Sequence, residues 1–427
     1  MSSALLLIVT LLVLVLIGCP IVFCIVLSSS LYLVVTDLRT LSVVAQRAVV
    51  GMDSFVMLAV PLFTLAGYLM EQAGLSKRLT DWVSKICGRV TGATGMITII
   101  CCAIFAALTG SGPATVAAIG AIMIPALKEA GYSENASAGM LAAGGALGPI
   151  IPPSVAMIVY GSTMGVSIPD MFMGGVVPGI IIAFLFCVVN YFIAKKENVK
   201  KPTETYTFKE IAVATWKALP VIVMPIIVLG GIYAGIFTPT EAATVCVLYS
   251  LILGVCYRTI TVKILIETLK KTIISSASIA LIIGISSVFG LTLAAAKIPA
   301  MVAEALVPIL GTQFIYMLVL MLFLFVVGCL MECLAAIVIL APILVPIGLN
   351  LGCDPLHLGV IFCINLVVGF ITPPFGVNLF TAVSTTGTPY AKVVKGVLPY
   401  LIVAMVAVMV FAFVPGIITW LPNLMKG

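Results

Sequence analysis

The chain reads as an all-α polytopic membrane protein built on an inverted repeat, and three observations lead there. Of its 427 residues, 63% are hydrophobic and only 8% are charged, a balance foreign to water-soluble domains. The apolar runs are long enough to cross a bilayer many times. Finally, Gly148-Pro149-Ile150-Ile151-Pro152-Pro153 returns as Gly369-Phe370-Ile371-Thr372-Pro373-Pro374, an offset of 221 (369 − 148) that also carries Pro125 onto Pro346 and Gly131 onto Gly352.

The elements follow in order. Residues 4–17 are apolar with no basic stretch before them, which predicts a retained transmembrane helix rather than a cleaved leader. Basic residues then locate the loops: Lys77, Arg78, Lys85 and Arg89; the stretch from Lys195 to Lys217, where Lys195, Lys196, Lys200, Lys201, Lys209 and Lys217 outnumber Glu197, Glu204 and Glu210; Arg258, Lys263, Lys270 and Lys271; and Lys392 with Lys395. All fall on the cytoplasmic side if 135–162 runs outward, 171–194 inward, 219–236 outward, 239–257 inward and 272–296 outward. Thr238-Pro239-Thr240-Glu241 between two spans carries the signature of a capping box with proline at the first helical position, a helix restart.

Two stretches do not fit single spans. No charge occurs between Arg89 and Lys128; as one helix that segment would be roughly 57 Å long, nearly twice the hydrocarbon thickness. Its centre reads Thr109-Gly110-Ser111-Gly112-Pro113 and both flanks are basic, which predicts a re-entrant hairpin with its tip near the midplane. The counterpart, 305–353, has one charge, Glu332, at its centre and is expected to enter from the opposite side, making the repeat inverted. Each hairpin precedes a helix broken by Gly-x-x-x-Pro-Pro. Proline removes a donor and clashes with the preceding turn, so 148–153 and 369–374 are expected to be unwound, with carbonyls that only protein, water or an ion can satisfy at that depth. Segments 74–90 and 297–310 are amphipathic enough to lie along the interface. The expected division is scaffold helices in 1–72 and 171–296, interfacial arms in 73–90 and 297–311, transport repeats in 91–170 and 312–391, and a C-terminal scaffold helix in 392–427.

Matched breaks in corresponding parts of two halves are where a secondary transporter holds its ligands. Hydroxyl and carbonyl oxygens are hard donors suited to an alkali cation. One sodium site is expected from Thr109, Gly110, Ser111, Gly112 and Thr115 with carbonyls near Gly148 and Pro149. A second is expected from Gly328, Met331, Glu332 and Cys333 with Gly369 and Thr372, so that Na⁺ serves as coupling ion at two or more sites. Candidate substrate contacts are Ser111, Pro153, Ser154, Thr372, Pro373 and Asn378; the alternative for Asn378 is an interhelical hydrogen bond. No Lys or Arg occurs in 129–194 or 298–391, so an anionic substrate would rely on Na⁺, hydroxyls and helix dipoles. Glu332, an intramembrane acid, has three open roles: cation ligand, proton carrier, or cap of the hairpin's second helix.

Other classes find little support. The twelve cysteines include no C-x-x-C pair and read as buried packers rather than metal ligands. The single histidine, His357, reads as a membrane-edge residue. No phosphate-binding loop is present, so ATP is not the energy source in this chain. Paired carboxylates, a Ser/Lys dyad and a histidine cluster are all missing, which argues against an enzyme. The net charge of +6 sits in loops, where it points to membrane topology and lipid rather than nucleic acid.

Gly110-Ser111-Gly112-Pro113-Ala114-Thr115, the run from Gly148 to Ser154, the turn from Phe237 to Glu241, and Ile371-Thr372-Pro373-Pro374-Phe375-Gly376-Val377-Asn378-Leu379-Phe380 together resemble the large membrane subunit of tripartite ATP-independent periplasmic (TRAP) transporters. The likeness runs over the whole chain. It implies an elevator-type sodium/organic-acid symporter in a bacterial inner membrane, working with a small four-helix membrane subunit and a periplasmic substrate-binding protein. Because the chain starts at the first large-subunit helix, the small subunit is expected as a separate chain. Related divalent-anion/sodium symporters carry Ser-Asn-Thr at both tips, where this chain has Gly-Ser-Gly-Pro and Met-Glu-Cys-Leu. A sialic acid, a C4-dicarboxylate and other acids all fit this reading. The alternative is a stand-alone, proton- or sodium-coupled anion transporter or exchanger without a binding-protein partner.

Overall fold

A computed structural model describes residues 2–37, 40–53, 55–87, 90–201 and 206–426. Arg89 and Glu204, used above to place loops, lie outside them. The described residues form helices and connecting turns only. In order these are α1 (Ser2–Leu16), α2 (Ile21–Thr36), α3 (Ser42–Met52), α4 (Ala59–Gln72), α5 (Leu75–Ile86), α6 (Ala93–Thr109), α7 (Gly112–Ala130), α8 (Glu134–Ile150), α9 (Val155–Met164) and α10 (Ile168–Lys196). Then follow α11 (Phe208–Tyr233), α12 (Pro239–Cys256), α13 (Val262–Ala295), α14 (Ile298–Leu310), α15 (Gln313–Leu330), α16 (Cys333–Asn350), α17 (Pro355–Val368), α18 (Val377–Thr386), α19 (Tyr390–Phe413) and α20 (Gly416–Lys426). Nine candidate membrane spans occur among the described residues.

The offset of 221 found in the motifs holds for the architecture. It carries α6 onto α15, α7 onto α16, α8 onto α17 with the 3₁₀ turn Gly369–Ile371, α9 onto α18 and α10 onto α19, with starts agreeing to within two residues. Both expected hairpins are present. The first turns at Gly110, whose φ of 60° is a left-handed conformation that glycine adopts without strain. The second turns through extended Met331 and Glu332.

The breaks lie slightly later than the sequence suggests. Helix α8 runs through Gly148 and Pro149 to Ile150 and opens only at Ile151. A single proline costs one helical bond, whereas Pro152-Pro153 removes two successive donors and forces the preceding residue out of the helical region. Ile151 accordingly has φ −80° and ψ 125°. In the second half the 3₁₀ turn ends at Ile371, and Thr372 is extended before Pro373-Pro374. Both Pro-Pro bonds are cis.

Packing divides the helices into two groups. Helices α1–α4 and α11–α13 associate through the pairs α13–α3, α12–α4, α1–α2 and α13–α4, whereas α6–α9 and α15–α18 surround α8 and α17. The arms join them. Helix α5 packs on α11 and on α6, and α14 packs on α13 and on α16. Leu75, Leu79 and Val83 of α5 face inward along one stripe, the spacing expected of an amphipathic helix.

One part of the expected division differs. The segments 171–194 and 392–427, expected with the scaffold, pack with the hairpins and broken helices. Helix α10 lies on α6, α8, α19 and α20, and α19 makes the most extensive helix pairing of the fold, against α8. There a Cβ on Gly139 or Gly396 would collide with the facing backbone, so the absence of side chains sets the separation, as small residues do between membrane helices. Hydropathy marks α10 and α19 as spans but does not encode which neighbour they bury against.

Candidate functional site

Each hairpin tip rests on the break of its own half. A Cβ on Gly148 would lie 2.7 Å from the Ser111 carbonyl oxygen, and one on Gly110 would lie 2.6 Å from the Pro153 carbonyl oxygen. In the second half Gly328 and Gly369 face each other backbone to backbone, closer than any side chain permits. The residues expected to pair in each sodium site are thus neighbours.

At the first tip the hydroxyls form a chain. Thr115 Oγ1 donates to the Ser111 carbonyl at 2.8 Å and lies 3.2 Å from Thr109 Oγ1, which in turn reaches the Phe105 carbonyl at 3.2 Å. Pro149 has no N–H to offer the Gly145 carbonyl, four residues before it. That carbonyl oxygen would stand 3.0 Å from a Cβ on Gly112, and Asn378 Oδ1 would stand 2.7 Å from it. Asn378 is fully buried, its Nδ2 donates to the Ala142 carbonyl at 3.3 Å, and its Oδ1 has no hydrogen-bond partner. A buried, unpartnered oxygen beside a carbonyl that has lost its helical donor is a hard-donor pair of the kind an alkali cation satisfies.

Several expected ligands are occupied. The Pro149 carbonyl accepts the Ser154 hydroxyl, the Gly369 carbonyl accepts the Thr372 amide at 3.0 Å, and Thr372 Oγ1 donates to the Val368 carbonyl at 2.9 Å. Ser154 also caps α9, its Oγ accepting from the Met157 amide. It therefore ties the two sides of the break together rather than facing a ligand.

The tips meet at a cavity of about 400 Å³. Its walls are Thr109–Ala114 with Pro149, Val155 and Ala156 from the first half, and Glu332–Leu334 with Phe370 and Val377 from the second; Thr64, Gly67 and Tyr68 of α4 and Ser275, Ser278, Ile279 and Ile282 of α13 close the other side. The cavity thus lies between the hairpin group and the α4–α13 group. The first residues of α7, α9, α16 and α18 all line it, and helix N-termini favour negative charge. Among the lining residues there is no Lys, Arg or His; the sole ionisable carboxylate is Glu332. Its Oε2 accepts from the Ala335 amide at 3.0 Å, making it the N-cap of α16.

Of the expected substrate contacts, Ser111 lines this cavity, whereas Pro153, Ser154, Thr372, Pro373 and Asn378 do not. Asn378 and Ser154 are turned into the interface between tip and break. Cys333 lines the cavity, whereas Met331, Gly328, Gly148 and Gly369 are not among its lining residues. The hydroxyls on the opposite wall, Thr64, Tyr68, Ser275 and Ser278, were not anticipated. A faint signal existed in Ser275-Ser276-Ala277-Ser278, a polar run inside a helix of 34 residues. All twelve cysteines are free, and no cluster of three or more His, Cys, Asp or Glu placed to hold a metal occurs among the described residues. His357 is buried in the first turn of α17, with Nε2 2.9 Å from the Phe411 carbonyl.

Paired helical hairpins, broken helices and a cavity between two helix groups, with nine candidate membrane spans among the described residues, define a polytopic membrane transporter fold. The crystal structure of the Alcanivorax borkumensis YdaH transporter shares it, with a TM-score of 0.65 over 86% of this chain and 87% of that chain at 14% identity. The chain belongs to the DctM component family of tripartite ATP-independent periplasmic transporters, whose family model matches residues 8–417. It is therefore a multi-pass inner-membrane permease. It is 34% identical over 414 residues to the sialic acid TRAP transporter large permease protein SiaM of Vibrio cholerae, covering 96% of both chains. It is 36% identical over 376 residues to the C4-dicarboxylate TRAP transporter large permease protein DctM of Pseudomonas aeruginosa, covering 87% of each. Identity to the isethionate TRAP transporter permease protein DctMQ of Oleidesulfovibrio alaskensis is 38% over 403 residues, 94% of this chain but 63% of that protein's length.

Proposed function

We propose that the chain imports an organic acid together with Na⁺, by an elevator movement of the hairpin group against the α4–α13 group. The observation that carries this reading is the central cavity: four helix N-termini and both hairpin tips face it, no basic side chain lines it, and it lies on the boundary between the two groups. An anion placed there has helix dipoles and hydroxyls around it, and bound Na⁺ supplies the missing positive charge. The best-supported cation position is between Asn378 Oδ1 and the Gly145 carbonyl beside Gly112. Thr109 and Thr115 add hydroxyl oxygens nearby. The symmetry-related position, at Gly328 and Gly369 with the tip residues Met331, Glu332 and Cys333, is the second sodium site. Relatives named for sialic acid, C4-dicarboxylates and isethionate support an organic anion as the substrate.

The two halves are inverted with respect to each other, so that each hairpin opens to one side of the membrane. Arms α5 and α14 touch both helix groups and act as the hinges. A periplasmic binding protein delivers the substrate, and a small four-helix membrane subunit covers the outer faces of the α1–α4 and α11–α13 group. If at least two Na⁺ accompany a monoanion, positive charge enters the cell, and a 100 mV potential contributes about 2.3 kcal/mol per charge.

The test is uptake into proteoliposomes containing the chain with its small subunit and binding protein. An inward sodium gradient is expected to drive accumulation, and dissipating it to abolish accumulation. Accumulation without sodium would refute the coupling. Uptake by this chain alone, without binding protein, would instead support a stand-alone transporter.

A further inference from the structure

Helices α4 and α13 face the hairpins across the cavity, and the repeat offset carries α4 onto the second half of α13. The two are not used alike. Thr64, Gly67 and Tyr68 line the cavity, and α4 meets the first hairpin at its tip, where a Cβ on Gly67 would lie 3.1 Å from Thr109 Cα. Their counterparts Ile285, Val288 and Phe289 are buried instead. Ile285 and Phe289 join Leu293, Ile25 and Leu33 of α2, and Ile339 of α16 in one apolar cluster, where the second hairpin packs on α13. Place along α13 tells which way the cavity looks. Ser275 and Ser278 stand within about 11 Å of Lys271 along the helix axis, whereas Phe289 stands about 27 Å from it. Lys263, Lys270 and Lys271 mark that end as cytoplasmic. The cavity therefore borders the cytoplasmic half of α13, and the apolar cluster seals the outer half.

We infer that the cavity has a second wall, used when it opens to the outside: Ile285, Val288 and Phe289 of α13, with Met57 and Leu58 of the 3₁₀ turn before α4 and Pro61. In a protein of two inverted halves, the opposite arrangement follows when each half takes up the other's relation to the stationary helices. Thr64, Gly67, Tyr68, Ser278, Ile279 and Ile282 line the cavity now, and the offset carries them onto these six positions. Position 54, the counterpart of Ser275, lies outside the described residues. The inference rests on the reading of two groups that move against each other, and it adds the residues that reading leaves unassigned. The walls differ in chemistry. The hydroxyls of Thr64, Tyr68 and Ser278 give way to the apolar side chains of Ile285, Phe289 and Met57. A solute entering from outside is thus held by the hairpin tips against an apolar surface, and meets the opposing hydroxyls only once the cavity faces the cytoplasm.

Two cysteine pairs related by the offset test this in the full permease with its small subunit, in right-side-out membrane vesicles. Phe289→Cys with Ile339→Cys should form a disulfide on mild oxidation in the present arrangement. Tyr68→Cys with Ala118→Cys should form one only in the opposite arrangement. Ile285→Cys is then added to the second pair, and a membrane-impermeant maleimide is applied from outside. Labelling is read at position 285 by peptide mass spectrometry, which separates it from the native cysteines. Oxidation of the 68–118 pair is expected to speed labelling at 285 at least tenfold over the reduced protein. Unchanged labelling in oxidised protein overturns the second wall and leaves the moving groups standing. If the 68–118 pair never bridges while the 289–339 pair does, both the inference and the movement fall. If the 289–339 pair does not bridge, the outer seal and the inference drawn from it fall. Val288→Cys gives the same readout should Ile285→Cys fail to fold.

Discussion

Ser111 and Glu332 hold the same station in the two halves of this permease, each accepting from the amide three residues on and each facing the central cavity. The pair shows how far the duplication has been kept and where the halves diverged: the backbone role is shared and the charge is not. At equal capping geometry it is the acceptor oxygen that matters for folding. Glu332→Ala should therefore lower stability by about 1 kcal/mol, the usual worth of an N-cap, while Glu332→Gln leaves the melting temperature of the purified protein nearly unchanged.

Asn378 supplies the clearest expectation for sodium. Its Oδ1 is buried and unpartnered beside Gly112. Losing one neutral oxygen ligand, worth about 1 kcal/mol or somewhat more, corresponds to roughly a tenfold change in affinity. Asn378→Ala should raise the sodium concentration for half-maximal uptake by about that factor, with transport largely recovered at saturating sodium. An unaltered sodium dependence would remove Asn378 from the site.

Gly369 and Gly328 touch through their backbones, leaving no room for a methyl group. Gly369→Ala is expected to force tip and break apart, costing about 1–3 kcal/mol as overpacking does, and to abolish sodium-driven uptake. Circular dichroism melts with parallel uptake assays separate the two effects.

A structural control lies far from the cavity. Tyr132 Oη donates to Asn190 Oδ1 at 2.8 Å, and Asn190 Nδ2 donates to the Gly92 carbonyl at 2.9 Å, fastening α10 to the base of the first hairpin. Asn190→Leu leaves buried partners unsatisfied and should destabilise by about 1–3 kcal/mol. The half-saturating sodium concentration of the folded fraction should not move.

Much of this was legible in the residues. The offset joining Gly148 to Gly369 also aligns both hairpins and both breaks, because glycine and proline act on the backbone locally and leave their mark wherever they stand. Capping by Glu332 was one of three roles left open by the sequence, and the amphipathic stripe of α5 was visible in its spacing. The packing of α10 and α19 against α8 was not, since an apolar helix looks alike whether it faces protein or lipid. Thr64, Tyr68 and Ser278 escaped notice because their counterparts under the offset are the apolar Ile285, Phe289 and Met57, so no matched polar pair marked them. Ser154 and Asn378 were identified as polar residues near the breaks, but which way each turns depends on tertiary neighbours. Pro149 staying helical was a matter of one lost bond against two.

The central claim is that the hairpin group moves against the α4–α13 group with the cavity between them. Ala114 on α7 and Ser278 on α13 line opposite sides of it. With both replaced by cysteine, Ala114→Cys and Ser278→Cys, and bridged by a short bifunctional thiol reagent, sodium-driven uptake should stop and should return when a reducible bridge is cleaved. Either single variant treated in the same way should retain uptake. Undiminished uptake in fully bridged protein would contradict the moving-group account.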